Sequence, residues 1–376
     1  MLPLLSLFCF LFLFSPTLAY TLVREYSGAN FFNDKQGNPL WSFYGSWDNL
    51  TLGNVWWLNS SAAFSQQLAY VNANNQIVLK VDNSSFVPNN GTRNSVRIES
   101  LDWYGVGSLW VVDIAHVPYG CSVWPAFWTY GVKWPDDGEI DILEAINLQT
   151  GNQMALHTLP GCYHTAPPNQ KGIDDSLNCS TPAGCVVHET ASNSFGTGFN
   201  NAGGGVWVTQ FDVSGIYIWF WARNNIPACI AQASAASAID ISTLGPPSAS
   251  FPATSCEITE YFGAQRLVFD ITLCGNWAGE AVNYLPTCSG AGSTGNCYLD
   301  NVIGAGSPKF DQAYFEVNYL RAYTTGLPTP SPTGAISNVG SNKLPSQRNS
   351  GTSSDPRPLL SLSLVIITTL SLICAS

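Results

Sequence analysis

Short runs of β-branched and aromatic residues, each closed off by Gly, Pro, Asn or Ser, recur along most of this 376-residue chain. Residues 76–82 (QIVLKVD), 96–100, 108–115 (SLWVVDIA), 217–222 (YIWFWA), 266–273 (RLVFDITL) and 314–323 have the length and composition of strands. Only an alanine-rich piece around 230–239 reads as a helix of any length. Many short strands with long connections predict an all-β antiparallel sandwich rather than alternating βα units.

The two ends are patterned differently. Residues 2–14 are almost unbroken Leu, Phe and Pro, and small residues precede a cut after Ala19, which predicts a signal peptide over 1–19. At the far end, 359–375 is an apolar run broken by Ser and Thr, short for a spanning helix and followed by nothing basic. Small residues at 349–351 and a polar spacer at 352–358 precede it, the order of a glycosylphosphatidylinositol (GPI) signal whose tail, 359–376, is removed. Between these signals, 20–325 reads as one domain and 326–358, rich in Pro, Ser and Gly, as a solvated stalk. The domain is therefore expected outside the cell, at the surface or in the wall, touching a membrane only through a lipid anchor.

Cysteine usage agrees with that compartment. Of eleven cysteines, Cys9 and Cys374 lie in the segments expected to be removed, and the others lack zinc-finger spacing, so disulfides are expected. Their odd number predicts one free thiol, expected to be buried. Sequons at Asn49, Asn59, Asn83, Asn90 and Asn178 are candidate glycan acceptors.

Only 10% of residues are charged and the formal net charge is −11. An acidic, charge-poor surface argues against nucleic acid as a partner. Against that background, GEIDILEAI (138–146) places Glu139, Asp141 and Glu144 within six residues. Like charges this close raise one another's pKa, so stability alone rarely assembles them. A close pair of carboxyl groups, one ionised and one protonated, is what retaining glycoside hydrolysis requires. In a regular strand Glu139 and Asp141 share a face and Glu144 points to the other, into the core. One extra residue, a β-bulge at about Ile142 and Leu143, returns Glu144 to the same face. A bulge is therefore predicted there.

Tryptophans lead into this strand as WPAFW (124–128) and then Trp134-Pro135. Flat aromatic faces suit a groove for sugar rings, and Trp134, in a polar loop, is the one most expected to be exposed. A turn at 147–152 is expected to return the chain as a strand over 153–158, placing His157 across from Asp141. His116, His164 and His188 read as structural.

These motifs resemble family 16 of the glycoside hydrolases, nearest its fungal endo-1,3(4)-β-glucanase (laminarinase) branch. The resemblance extends to RNSVRI (93–98), ALHT (155–158), CGNWA (274–278) and the closing strand, about 90–323 in all. It implies a concanavalin A-like jelly roll with a substrate cleft across its concave sheet, acting as a monomer on β-1,3 or mixed β-1,3/1,4 glucan without a cofactor. A structural calcium stays open. On matching positions Glu139 is the nucleophile, Asp141 its helper and Glu144 the general acid/base. Trp134, His157 and Trp277, with Arg97 and Trp128 as further candidates, line sugar subsites. The five-residue step from Glu139 to Glu144 resembles the bulged laminarinase type, not the family's Glu-x-Asp-x-Glu transglycosylases. Residues 31–57, rich in tryptophan, depart from the family's usual N-terminal pattern. Two alternatives remain: a wall-remodelling β-glucan transglycosylase, and a catalytically silent glycan-binding sandwich.

Overall fold

The computed structural model describes residues 19–326 apart from 235 and 236. The segments read as signal peptide, stalk and lipid-attachment tail lie outside the described residues, except for the last residue of the first and the first residue of the second.

Two eight-stranded antiparallel sheets carry the architecture. The first runs in spatial order Ile173–Ser176, Cys185–His188, Gln153–His157, Glu139–Glu144, Val123–Tyr130, Arg266–Leu273, Arg97–Ser100 and Trp41–Phe43. The second runs Ala249–Pro252, Gly215–Ala222, Gly205–Asp212, Ser108–His116, Tyr314–Thr324, Ile77–Lys80 and Ala69–Val71, with Thr21–Ser27 also paired to Tyr314–Thr324. The sandwich expected from the strand pattern is what forms, and the six strand segments read from sequence all appear with small changes at their ends.

Alternation along the strands builds the main core. On Val123–Tyr130, Val123 and Phe127 join that core, while Trp124, Ala126, Trp128 and Tyr130 belong to clusters on the opposite face. On the neighbouring strand Leu267, Phe269, Ile271 and Leu273 point inward, which leaves Arg266, Val268, Asp270 and Thr272 on the outer face. Val123–Tyr130 is a central strand that the sequence pattern did not reveal. Pro125 normally argues against such a position. Here its pairing with Glu139–Glu144 begins only at Ala126, so the missing N–H falls beyond that ladder.

The helix expected around 230–239 is limited to Ala228–Ala231. Beyond it, Ile239 pairs its backbone with Tyr20. Ile230, Ile239 and Leu244 cover Leu109, Val111, Val206 and Val208 on the outer face of the second sheet. Burying isolated apolar residues against a flat sheet favoured an irregular covering segment over the helix its alanines suggested.

Eight cysteines pair as Cys121–Cys288, Cys162–Cys256, Cys179–Cys185 and Cys274–Cys297. The odd cysteine is Cys229, and it is exposed rather than buried as expected. Parity fixes that one thiol is left over and carries no information about where it sits.

Candidate active site

The acid strand is bulged. Glu139 pairs with His157, Ile140 with Leu156 and Asp141 with Ala155, after which the register slips and Glu144 pairs with Gln153. On its other side Trp128 faces Asp141, Phe127 faces Leu143 and Ala126 faces Glu144, so Ile142 is the extra residue. Ile140, Ile142 and Leu143 all enter the core. Glu139 and Glu144 stay half-buried and Asp141 is buried between them. The predicted bulge is present, and it puts the three acids on one face.

Asn152 holds the bulge. Its Nδ2 donates to the Ile142 carbonyl at 3.0 Å and its Oδ1 accepts from the Glu144 amide at 2.9 Å. These are backbone groups that the slipped ladder leaves without a strand partner. Nothing in the local pattern marked Asn152, because the need for it arises only once the bulge exists. Gly138 sets the entry to the strand: its φ is +74°, and a Cβ there would lie 2.3 Å from the Phe262 ring.

Each acid has its own surroundings. Trp134 Nε1 donates to Glu139 Oε2, and Trp134 is 53% exposed, as its polar loop led us to expect. Glu144 accepts from Trp124 Nε1 at 2.8 Å and from Gln153 Nε2 at 3.2 Å. Burial pushes the Glu144 carboxyl above its ordinary range, against the pull of the Trp124 bond. Asp141 is raised further, by burial first and then by the charge of Glu139. His157 Nε2 lies 3.3 Å from Asp141 Oδ2. Burial alone lowers the His157 pKa, yet Asp141 and the two glutamates outweigh it and hold it at about 9. The strand therefore carries two carboxyl groups that burial pushes up, facing a histidine that their charge pushes up in turn.

His157 is close to the acids, as expected, but by a different register: it faces Glu139 and reaches Asp141 diagonally. The bulged residue, which occupies a place on one strand only, accounts for one of the two positions of difference: the pairing Glu144–Gln153 alone would set His157 opposite Ile140, and the turn accounts for the other. Atoms of Glu139, Asp141 and His157 lie within 4.8 Å of one another, the one such ligand-bearing group among the described residues. A calcium site calls for about six to eight oxygens, more than these three side chains offer.

The subsite candidates spread along this face. Trp128 and Trp124 are largely covered, with Trp277 half-buried and edge-on to Trp124 at 5.2 Å. Arg97 is buried, its Nε and Nη2 both held by Glu99 Oε1 at 3.0 and 2.9 Å. Its guanidinium lies 4.7 Å from the Tyr44 ring and 5.1 Å from Trp128, supporting the aromatic wall from behind. Asp270, missed from sequence, stands on the same face in register with Ala126 and Arg97. Burial pushes its carboxyl up to about 8, with Arg97 pulling the other way. A lone acid in the apolar run RLVFDITL was the signal available. Among the other histidines, His116 bonds the Tyr314 carbonyl and stacks on that ring, and His164 pairs with Asp174 at 2.6 Å.

Residues 41–323 match the model of the XgeA-like catalytic domain of glycoside hydrolase family 16, GH16. The chain belongs to this family. Among its GH16 relatives is a probable endo-1,3(4)-beta-glucanase of Aspergillus fumigatus, 36% identical over 90% of this chain. The chain spans about half the length of that relative (52%). A probable glycosidase of Schizosaccharomyces pombe is also 36% identical, over 81% of this chain and 69% of its own length. Two solved GH16 structures are similar at comparable levels. An elongating β-1,3-glucosyltransferase is 38% identical, with a TM-score of 0.72 over 81% of this chain and all of that one. Laminarinase 16A of Phanerochaete chrysosporium, with β-glucans in donor and acceptor sites, is 32% identical with a TM-score of 0.73 over the same shares. The GH16 β-sandwich jelly roll is thus the fold of this chain. Its relatives include both a hydrolase and a transferase, so the spacing of the acids does not by itself choose between the two outcomes.

Proposed function

We propose that this domain is a retaining β-glucanase acting on β-1,3 and mixed β-1,3/1,4 glucan through a covalent glycosyl-enzyme. The observation that carries the proposal is the bulge that brings Glu139, Asp141 and Glu144 to one face. Glu139 attacks the anomeric carbon while Glu144, held toward its acid form, protonates the departing oxygen. Asp141, raised by burial and set against His157, keeps a proton beside the nucleophile without competing for the sugar. Water then attacks, with Glu144 as base. Trp134 and Trp277 offer ring faces for glucosyl units, with Trp128 largely covered beside them, and His157 reaches the same space.

Transfer to a sugar hydroxyl uses the same intermediate and is the second reading. The 38% identical elongating β-1,3-glucosyltransferase favours it. Products from laminarin, lichenan and cellulose, and from an end-labelled laminari-oligosaccharide, separate the readings: chains longer than the starting one arise only by transfer. Release of no sugar from any of them would leave a glycan-binding sandwich. Glu139→Gln is expected to lower turnover by at least about 10⁴-fold, the scale of losing an essential catalytic group, and wild-type turnover in it would overturn the nucleophile assignment. We further infer an extracellular, lipid-anchored glycoprotein; four disulfides and the exposed sequon residues Asn49, Asn59 and Asn90 support that setting. Asn83 and Asn178, the other two sequon residues, are half-buried.

A further inference from the structure

Asp48 builds a loop that sits against the acid-bearing face. Its Oδ1 accepts from the amides of Leu50 and Thr51 at 3.2 and 3.1 Å, and its Oδ2 from the Gly53 amide at 3.2 Å and the Thr51 hydroxyl. The same Oδ2 accepts from Thr272 Oγ1 at 2.6 Å. Thr272 stands on the acid face in register with Trp124, so the buried Asp48 seats its loop on that face. The Thr51 carbonyl accepts from the Asn276 amide at 2.9 Å, one residue before Trp277. A loop whose backbone groups are paired in this way holds one conformation, which fixes the directions of its exposed side chains.

The exposed neighbour of Asp48 is Asn49, first residue of the sequon Asn49-Leu50-Thr51. Tyr44 Oη donates to Asn49 Oδ1 at 2.5 Å. An amide is planar, so that bond turns Nδ2 away from Tyr44, where it makes no hydrogen bond among the described residues. Tyr44 lies over the Arg97 guanidinium at 4.7 Å, and its amide bonds the Arg97 carbonyl at 3.1 Å. Register carries a row on from Arg97 through Asp270 and Ala126 to Glu144. Three strand spacings of about 4.8 Å place the strand of Arg97 roughly 14 Å from that of Glu144. Asn49 therefore stands on the rim where the row through the acids ends.

The other sequons are placed differently. Asn83 Nδ2, the atom a glycan needs, donates to Asp311 Oδ1 at 2.7 Å. Asn178 is half-buried beside the Cys179–Cys185 bridge. Asn59 caps the helix Ser60–Ser65, and Asn90 lies in a turn whose Gly91 carbonyl is held by Tyr298.

We propose that Asn49 carries an N-linked glycan that closes the Arg97 end of the cleft, so that the domain favours short glucan chains over long ones. The proposal rests on the reading of this domain as a secreted β-glucanase. In the modification Asn49 Nδ2 bonds to the anomeric carbon of an oligosaccharide carried on a lipid diphosphate. The bond from that carbon to the diphosphate breaks, the electron pair leaves with the phosphate oxygen, and one amide proton is lost. Oδ1 stays an acceptor, so the Tyr44 bond survives and keeps the base of the glycan at the rim. A glycan is bulky and solvated, and a long chain leaving the cleft on this side meets it.

The test uses protein secreted from a eukaryotic host, with kcat/KM measured on laminaritetraose and on laminarin. Peptide mapping is expected to find a glycan on Asn49. Endoglycosidase trimming to the first sugar leaves every amino acid unchanged. It is expected to raise the laminarin value relative to the laminaritetraose value at least about fivefold. Asn90→Gln is expected to show the same rise on trimming. Asn49→Gln is expected to show the raised ratio before trimming and no change after it. A bare Asn49, or a wild-type ratio indifferent to trimming, overturns the proposal. Absence of glycan from all five sequons overturns the secreted-glycoprotein reading with it, and activity on neither substrate overturns the glucanase reading and the proposal together.

Discussion

Trp124 and Glu144 meet through one hydrogen bond that tunes the proton the chemistry needs. In the proposed mechanism Glu144 is the acid, and burial already favours its protonated form. The Trp124 N–H bonds the carboxylate form more strongly and so pulls the pKa down. Trp124→Phe removes that bond, which raises the Glu144 pKa. The alkaline limb of the kcat/KM profile is then expected to move to higher pH; a limb that stays put or moves lower means that Trp124 does not set it. The three acids were readable in sequence because charge is scarce in this chain; Asp270, a lone acid in an apolar run, was missed although the same scarcity applied to it. Arg97 shows the limit of such reading. A guanidinium near tryptophans looks like a sugar contact, yet Glu99 and three aromatic rings enclose it.

At the scale of the strand, the bulge is what turns three acids into a site. Strand arithmetic required it, since a regular strand directs Glu144 into the core. How it is held could not be read from the strand itself. Asn152, on the far side of the hairpin turn, supplies a donor to Ile142 and an acceptor to Glu144. Asn152→Ala leaves both backbone groups unpaired in the interior, at about 1–3 kcal/mol each. Chemical denaturation is expected to show a loss of about 2 kcal/mol or more. Loosened positioning of Glu144 is expected to lower kcat about tenfold or more with a smaller change in KM. Stability lost with kcat intact would mean that the bulge holds its shape without this side chain. The misread elements have physical reasons of their own. Pro125 hid a central strand by sitting just past the end of one ladder, and the alanines around 230–239 suggested a helix where scattered isoleucines cover a sheet.

Across the whole domain, disulfides tie distant segments to the site. Cys121–Cys288 joins the approach to strand Val123–Tyr130 with the end of the helix Ala281–Cys288, closing 167 residues of sequence separation. Cys121→Ser with Cys288→Ser is expected to cost about 3–5 kcal/mol, read as a lower denaturation midpoint. Cys229→Ser, at the exposed unpaired thiol, is expected to leave the midpoint unchanged. A midpoint indifferent to the first change would mean that the remaining bridges already constrain the unfolded chain. By itself the sequence determined what short-range rules govern: strand periodicity, the parity of the cysteines, the three acids and the need for a bulge between them. Tertiary structure alone decided which thiol was left over, the row that joins Glu144 to Arg97, the Asn152 brace, the burial of Arg97 and the seat of the Asp48 loop on Thr272. Each of those depends on groups far apart in the chain meeting across strands, and no local pattern encodes where a partner from another strand will stand.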